Sequence, residues 1–485
     1  MFLNLKNKIN AANQFDKTFC RSTFFFICFC VYFVALIPLV RADFNYIDDN
    51  GRVIWGYRGW DNFSRFMSNF LSQFVHINTV LADISPLTQI LAILLLTAAG
   101  IILIHLIVDT KRISLWCVGP VLLLGLCPYF LECFSYKFDS VYMSLSVLAG
   151  IAPFAFARHR GYFCAASFLG TLLVCTTYQV SIACYLITFI FLLTIRWNEG
   201  LSYRELCGDF IAGGFGFIAG LLCFKFFIMI PVDMYVSSQT GNLSDIRTNL
   251  TWFFKTIKSD FRTSWLKIIY VLFACYIYTF VKNSQRNKIL AFIIAVFSVI
   301  GFLICSFGLY SILKAPLHAC RAMYGIATCL AVCGIYIGVS VGNLPSKLVV
   351  TILAWVFLVF TCIYGNTLSA QKQYTEFRTF LLINDLNHIN EFVLSSEQKS
   401  LTVHGNIGRS PIIKNDIQTF PVLERLLPST LGDSAWMWNV CALLSHYGLK
   451  NIAGINTPGE GTEIIVDTMY HRITRTGNHF FVLLK

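Results

Sequence analysis

Two adjacent carboxylates, Asp48 and Asp49, stand in DFNYIDDNGRVIWGYRGW (43–60), a polar stretch that follows directly on an apolar run and a lone arginine. Arg52, Arg58 and Arg65 come next, with Trp55, Tyr57 and Trp60 among them. Aromatic faces with hydrogen-bonding side chains suit sugars, and arginines suit phosphate. A carboxylate in such a setting can act as a general base. It takes the proton from a hydroxyl as that oxygen attacks an anomeric carbon. The neighbouring carboxylate can raise the pKa of the first, hold an acceptor hydroxyl or bind a divalent ion. Adjacent aspartates are not in themselves a metal motif, and many loop aspartates only face solvent.

Two later stretches add to this set. ECFSYKFDS (132–140) crowds Glu132, Tyr136, Lys137 and Asp139 between two apolar segments. Together with Arg52, Trp55 and Tyr57 they are candidate substrate-binding residues; the plainer reading is interfacial anchoring with a local ion pair. SILKAPLHACR (311–321) carries Lys314, His318 and Arg321 at spacings of four and three. These three are candidate ligands for a lipid-linked phosphate, which Arg321 can hold bidentately. Contact with lipid headgroups is the alternative.

The elements that must position these residues are membrane helices. Of 485 residues 56% are hydrophobic and 13% charged, and the mean hydropathy is +0.66. Soluble domains carry about 25% charged residues. Apolar segments of about 17–22 residues recur, enough to cross about 30 Å of hydrocarbon. The pattern is that of a polytopic α-helical membrane protein, without the strict alternation of a β-barrel. The net charge of +12 is scattered through short loops rather than massed in a patch, so no nucleic-acid partner is expected. Most of the 18 cysteines lie inside apolar segments, where Cys behaves as a small hydrophobe. Neither a disulfide framework nor a zinc site is implied.

The first span, 22–40, follows Lys6, Lys8, Lys17 and Arg21. That flank predicts a cytoplasmic N-terminus. Its length favours an uncleaved span over a signal peptide. Further spans are expected at 88–108, 113–131, 141–157, 161–178, 180–195, 210–230, 265–281, 289–309, 322–341 and 348–364, about eleven in all. Inner loops are then 109–112, 158–160, 196–205 and 282–288, short and basic. Outer loops are 41–87, 132–140, 232–264 and 310–321, longer and less basic. The weakest joint is at Tyr178 and Gln179, where two spans meet with almost no loop. Residues 1–364 form the membrane module. Residues 365–485 form an outer α/β domain, with an amphipathic helix after 365, strands at KSLTVHG and HFFVLLK, and a helix WMWNVCALLSHYGL ended by Gly448. Its aromatic side chains Phe420, Trp436, Trp438 and Tyr447, with His446, either line a sugar groove or form a domain core. GGFGFIAG (213–220) lies inside an apolar span and is expected to serve close helix packing, not nucleotide binding. His404 and His446 lack ligand partners at metal spacing.

YIDDNGRVIWGY, FLECFSYKFDSVYMSLSVL (130–148), YQVSI (178–182) and FPVLERLLPSTLGDSAWMWNVCALLSHYGL (420–449) resemble the glucosyltransferase II family, the phage-encoded, serotype-converting O-antigen glucosyltransferases. The likeness covers most of the chain in order and is clearest in the first two outer loops and the tail. It implies a GT-C-type enzyme of the bacterial inner membrane with a periplasmic C-terminus. The donor implied is undecaprenyl-phosphate glucose and the acceptor a lipid-linked O-antigen repeat. It also implies inversion at the anomeric carbon and an acidic residue of the first outer loop as base, here Asp48 or Asp49, with Asp49 slightly favoured. No cofactor is firmly implied, and a divalent metal stays open. Rival readings are a lipid-linked sugar flippase, an O-antigen polymerase or ligase, a GT-C enzyme of another sugar, and a non-enzymatic partner protein.

Overall fold

The computed structural model describes residues 17–108, 111–230, 241–389, 392, 397–428, 431–432, 437–449, 452–455, 459 and 461–485, with 437–439 as backbone only. The Lys6 and Lys8 flank, Asp109, much of the segment before Gly241, and Trp436 lie outside the described residues, as does the side chain of Trp438.

Among the described residues, seven helices are long and apolar enough to cross a membrane: Arg21–Ala42 (α1), Leu87–His105, Gln179–Asn198, Tyr203–Ile228, Thr263–Asn283, Lys288–Cys305 and Leu344–Asn387. A bent pair, Leu115–Leu126 and Pro128–Ser135, makes an eighth if it is one span. The other expected spans fall on two shorter apolar helices, Ser140–Phe156 and Gly325–Val339, and on the helix Arg160–Thr177. The chain is thus a largely helical, multi-span membrane protein; three of the expected spans are shorter or less apolar than the rest.

Two breaks shape the site. Cys127 is extended (ψ 131°) and Pro128 starts a new helix, Pro128–Ser135, at its first turn, where a missing N–H costs nothing. The axis bends by 60°. Glu132 therefore stands on a short helix, not in the loop expected at 132–140. At Tyr178 (φ −148°) the helix Arg160–Thr177 ends, and a 3₁₀ turn over Gln179–Ser181 begins the next. The doubtful joint is two elements.

Close packing needs glycine at specific points. A Cβ at Gly216 would sit 2.3 Å from the Cys164 carbonyl oxygen, and one at Gly220 would sit 2.9 Å from that of Phe168. The glycine-rich run thus packs backbone to backbone on Arg160–Thr177, as its sequence suggested. Gly365 does the same for the last long helix against α1, where a Cβ would meet the Leu39 nitrogen at 2.4 Å.

Two sets of polar contacts tie the connecting segments together. In one, Arg160 and Arg196 converge on Asp209, the first at 3.2 Å. In the other, Lys137 reaches Asp43, Glu132 reaches Arg321, and Asn249 donates to the Leu313 carbonyl at 2.8 Å. This second set adjoins Asp48 and Asp49.

Leu344–Asn387 runs 44 residues, unbroken through residue 365. Its far end packs Leu382 and Leu386 on a five-stranded sheet. The strand order is 452–454, 399–405, 479–484, 471–476, 463–467. Lys399–Gly405 pairs in parallel with two neighbours, and the other pairings are antiparallel. Phe480, Val482 and Leu484 alternate inward, the period of a half-buried strand. The segment before the helix Met437–His446 belongs to the bundle instead. Ile413, Val422, Leu423, Leu426 and Leu427 join the core that holds Tyr46, Trp265 and Tyr364.

Candidate active site

After α1 the chain turns at Asp43 (φ 47°) and Ile47 (φ 43°) and enters a two-turn helix, Asp49–Trp55 (α2), with Asp48 at its N-cap. The two aspartates have opposite surroundings. Asp49 is fully buried. Its Oδ2 accepts the backbone N–H groups of Tyr46 (3.1 Å) and Lys137 (2.9 Å), while Oδ1 is buried without a hydrogen-bond partner. Burial pushes its carboxyl up to about 7, against the lowering effect of the Lys137 N–H and the Arg52 charge. Asp48 is half-buried. Its charge acts on Arg321, Tyr136 and Tyr57.

Arg321 is held from two directions. Glu132 accepts its backbone N–H at 2.6 Å and its guanidinium through the second oxygen. The guanidinium lies over the Tyr136 ring, 5.3 Å from the centroid, and the Tyr178 hydroxyl donates to the Arg321 carbonyl at 3.3 Å. Asp48, Glu132, Tyr136 and Arg321 thus form one cluster, although they come from three separated segments.

The other candidates are engaged with one another. Arg52 and Asp139 pair in the interior, Trp60 Nε1 also donates to Asp139, and the Arg52 guanidinium stacks 4.5 Å from the Trp60 ring. This group locks α2 onto the start of the helix Ser140–Ile151. Trp55 and Tyr57 stay exposed. The Lys137 ammonium is caged by Asp43, Asn45 (3.0 Å) and Asp83 (3.1 Å). His318 stacks on Trp252 at 3.9 Å, and its carbonyl accepts from Arg425 at 3.1 Å. Burial, then the Arg425 charge, lowers its pKa. Lys314 is exposed. Of the three expected phosphate ligands, only Arg321 therefore lies in the cluster.

Two participants escape sequence reasoning, and a third, Arg65, is named there without its partner. Asp43 and Asp83 lie 94 and 54 residues from the lysine they hold, and nothing in their local pattern marks them. Arg65 carried a signal in its aromatic neighbours, but its contact with Gln179 spans 114 residues.

A polar cleft opens beside α2, between Asn45, Asn50 and Asp83 on one wall and Lys372, Glu376, His446 and Tyr447 on the other. Phe420 does not reach it. That ring packs on Trp265 (5.7 Å) and Phe360 (5.6 Å). Among the described residues no three His, Cys, Asp or Glu side chains are grouped to hold a metal ion. Asp43 and Asp83 are engaged by the Lys137 ammonium, and Glu132 by Arg321.

Comparison with known proteins gives two findings. A family model described as glucosyl transferase GtrII matches residues 37–337. An uncharacterised 55.3 kDa protein of Salmonella phage P22, described by its place in the gtrB 5′ region, is 22% identical over 435 residues, covering 84% of this chain and 86% of that protein. No solved structure matches. The matched region contains the aspartate pair, the bent helix with Glu132, and Arg321.

Proposed function

The chain belongs to the glucosyl transferase GtrII family, and from that premise we propose that it moves glucose from a polyprenyl-phosphate donor to a sugar of a lipid-linked O-antigen repeat. The reaction inverts the anomeric carbon and runs on the periplasmic side of the inner membrane, with about eleven spans, a cytoplasmic N-terminus and a periplasmic C-terminus. Alternating short basic loops support this orientation.

The observation that carries the reading is the split between the two carboxylates. Asp48 is open to the cluster of Tyr136 and Arg321, while Asp49 is sealed beneath it with both ligand N–H groups on one oxygen. Asp48 is the base. Its carboxylate takes the proton of the acceptor hydroxyl, and that oxygen attacks the anomeric carbon from the face opposite the phosphate. The bond from the anomeric carbon to the phosphate oxygen breaks, and the electron pair leaves with the polyprenyl phosphate. Arg321, braced by Glu132, stabilises the charge that develops there. Asp49 ties α2 to Lys137 and so fixes the direction in which Asp48 points. The acceptor saccharide suits the polar cleft beside α2, which presents carboxylates, amides and the Tyr447 ring.

Mass analysis of lipopolysaccharide from a host with the donor pathway tests the reading. Wild type adds one hexose per repeat and Asp48→Asn adds none at matched membrane level. Equal transfer by both removes Asp48 from the chemistry. No added hexose from the wild type would favour a flippase.

A further inference from the structure

Arg65 is only 9% exposed, yet among the described residues no carboxylate pairs with it. Its one side-chain hydrogen bond runs from Nε to Gln179 Oε1 at 3.2 Å. Gln179 is fixed in turn by donating from Nε2 to the Phe63 carbonyl at 2.9 Å. The guanidinium lies over two rings, 4.6 Å from the Tyr178 centroid and 5.1 Å from that of Phe63. A buried cation held only by neutral groups is costly unless an anion completes its surroundings.

Tyr178 connects this arginine to the cluster already described. Its ring carries the Arg65 guanidinium, its hydroxyl donates to the Arg321 carbonyl, and both arginine charges act on it. Glu132 neutralises Arg321; Arg65 supplies the uncompensated positive charge. A phosphodiester carries one negative charge, and the phosphomonoester left after glycosyl transfer carries nearly two at neutral pH. Paired planar guanidinium groups suit that change in charge.

The helix that follows Arg65 indicates what the phosphate is attached to. In Phe66–Val75, Ser68 and Ser72 are buried, while Phe70 and Phe74 are 53% and 66% exposed. Ser68 and Ser72 are turned to the protein and the Phe70 and Phe74 rings outward, with Gln73 exposed beside them and Leu71 and Val75 packed inward. The two outward rings suit a helix with one side against hydrocarbon, with an anion site at its N-cap, Arg65.

We propose that Arg65 and Arg321 form a two-arginine clamp across Tyr178 for the phosphate of a lipid phosphate, with the chain of that lipid leaving along Phe70 and Phe74. The clamp rests on the donor reading above and moves the phosphate away from Lys314 and His318.

Farnesyl phosphate is a suitable probe for the full-length protein in detergent, with inorganic phosphate and farnesol as separate arms. Binding is read by thermal shift. Farnesyl phosphate should protect the wild type, and Arg65→Gln should weaken this by about ten- to a hundredfold, the worth of one charge-assisted contact. Arg65→Lys should recover part of the loss, and Arg58→Gln should bind as the wild type does. In a transfer assay Arg65→Gln should raise the donor KM and leave the acceptor KM alone. Unchanged farnesyl phosphate binding by folded Arg65→Gln or Arg65→Lys overturns the clamp. Protection by inorganic phosphate as strong as by farnesyl phosphate overturns the lipid assignment. Wild type that transfers hexose while Arg65→Gln keeps its donor KM defeats the clamp alone. Wild type that transfers none in a competent host defeats the reading beneath it, and the clamp's donor assignment with it.

Discussion

Glu132 grips Arg321 across 189 residues of sequence, taking its backbone N–H on one carboxylate oxygen at 2.6 Å and its guanidinium on the other. One side chain thereby fixes both where the arginine's backbone lies and where its charge points. Glu132→Gln leaves that guanidinium without its bonded counter-charge, with only the charge of half-buried Asp48 acting on it. Breaking an enclosed ion pair costs about 3–5 kcal/mol, and this pair should fall at the lower end because the arginine side chain is 18% exposed. The expected result is a lower melting temperature in detergent and loss of hexose transfer. Adding Arg321→Gln should restore much of the melting temperature and none of the transfer. Full recovery of both would mean that the pair only holds the fold.

The aspartates should separate by substitution. Asp48→Asn should lower transfer by about 10²–10⁴-fold with melting unchanged. Asp49→Asn keeps an oxygen for the Tyr46 and Lys137 N–H groups and should retain measurable transfer. Asp49→Ala strands both donors, at about 1–3 kcal/mol each, and should melt early. Initial rates on membranes matched by blot give the comparison.

Asp49 also predicts a pH dependence of stability. Its carboxyl sits at about 7 in the folded chain against an ordinary 3.8. Between those values the folded protein binds more protons than the unfolded one, so stability falls as pH rises. The contribution is complete below about 4 and lost as pH passes about 7. The melting temperature should drop from pH 5 to pH 8, and Asp49→Asn should flatten that slope. Parallel slopes for the two proteins would place the titration elsewhere.

Lys314 and His318 supply a contrast. The first is exposed, and the second is spent on the Trp252 ring. Lys314→Ala should leave the donor KM unchanged. His318→Ala should lower the melting temperature through the lost stacking and leave the donor KM in place. A large rise in donor KM for either would return the phosphate to this loop.

The legible parts of the chain were those written in local pattern. Apolar runs marked the long spans, alternation marked the strands 399–405 and 479–484, and glycine spacing marked the packing face of 213–220. Residue types drew attention to Asp48 and Asp49 after the first span and, separately, to Arg321 in 311–321. What escaped was pairing at long range. The sequence does not show that Arg52 is spent on Asp139, or Lys137 on Asp43 and Asp83, because those distances close only when the bundle forms. Composition also placed a boundary at 365, where polar residues begin. The backbone ignores it, since polar and apolar residues alike continue one helix.

That helix has a mechanical consequence. At about 1.5 Å per residue, its 44 residues make a rod of about 66 Å, anchored to α1 at one stretch and capped by the sheet at its tip. A rod has no elbow. The wall of the cleft that bears Lys372 and Glu376 is part of this rod, so that wall can be displaced only by leaning the whole rod. Movement of that wall would also have to break the hold of Lys372 on Asp43, which lines the same cleft.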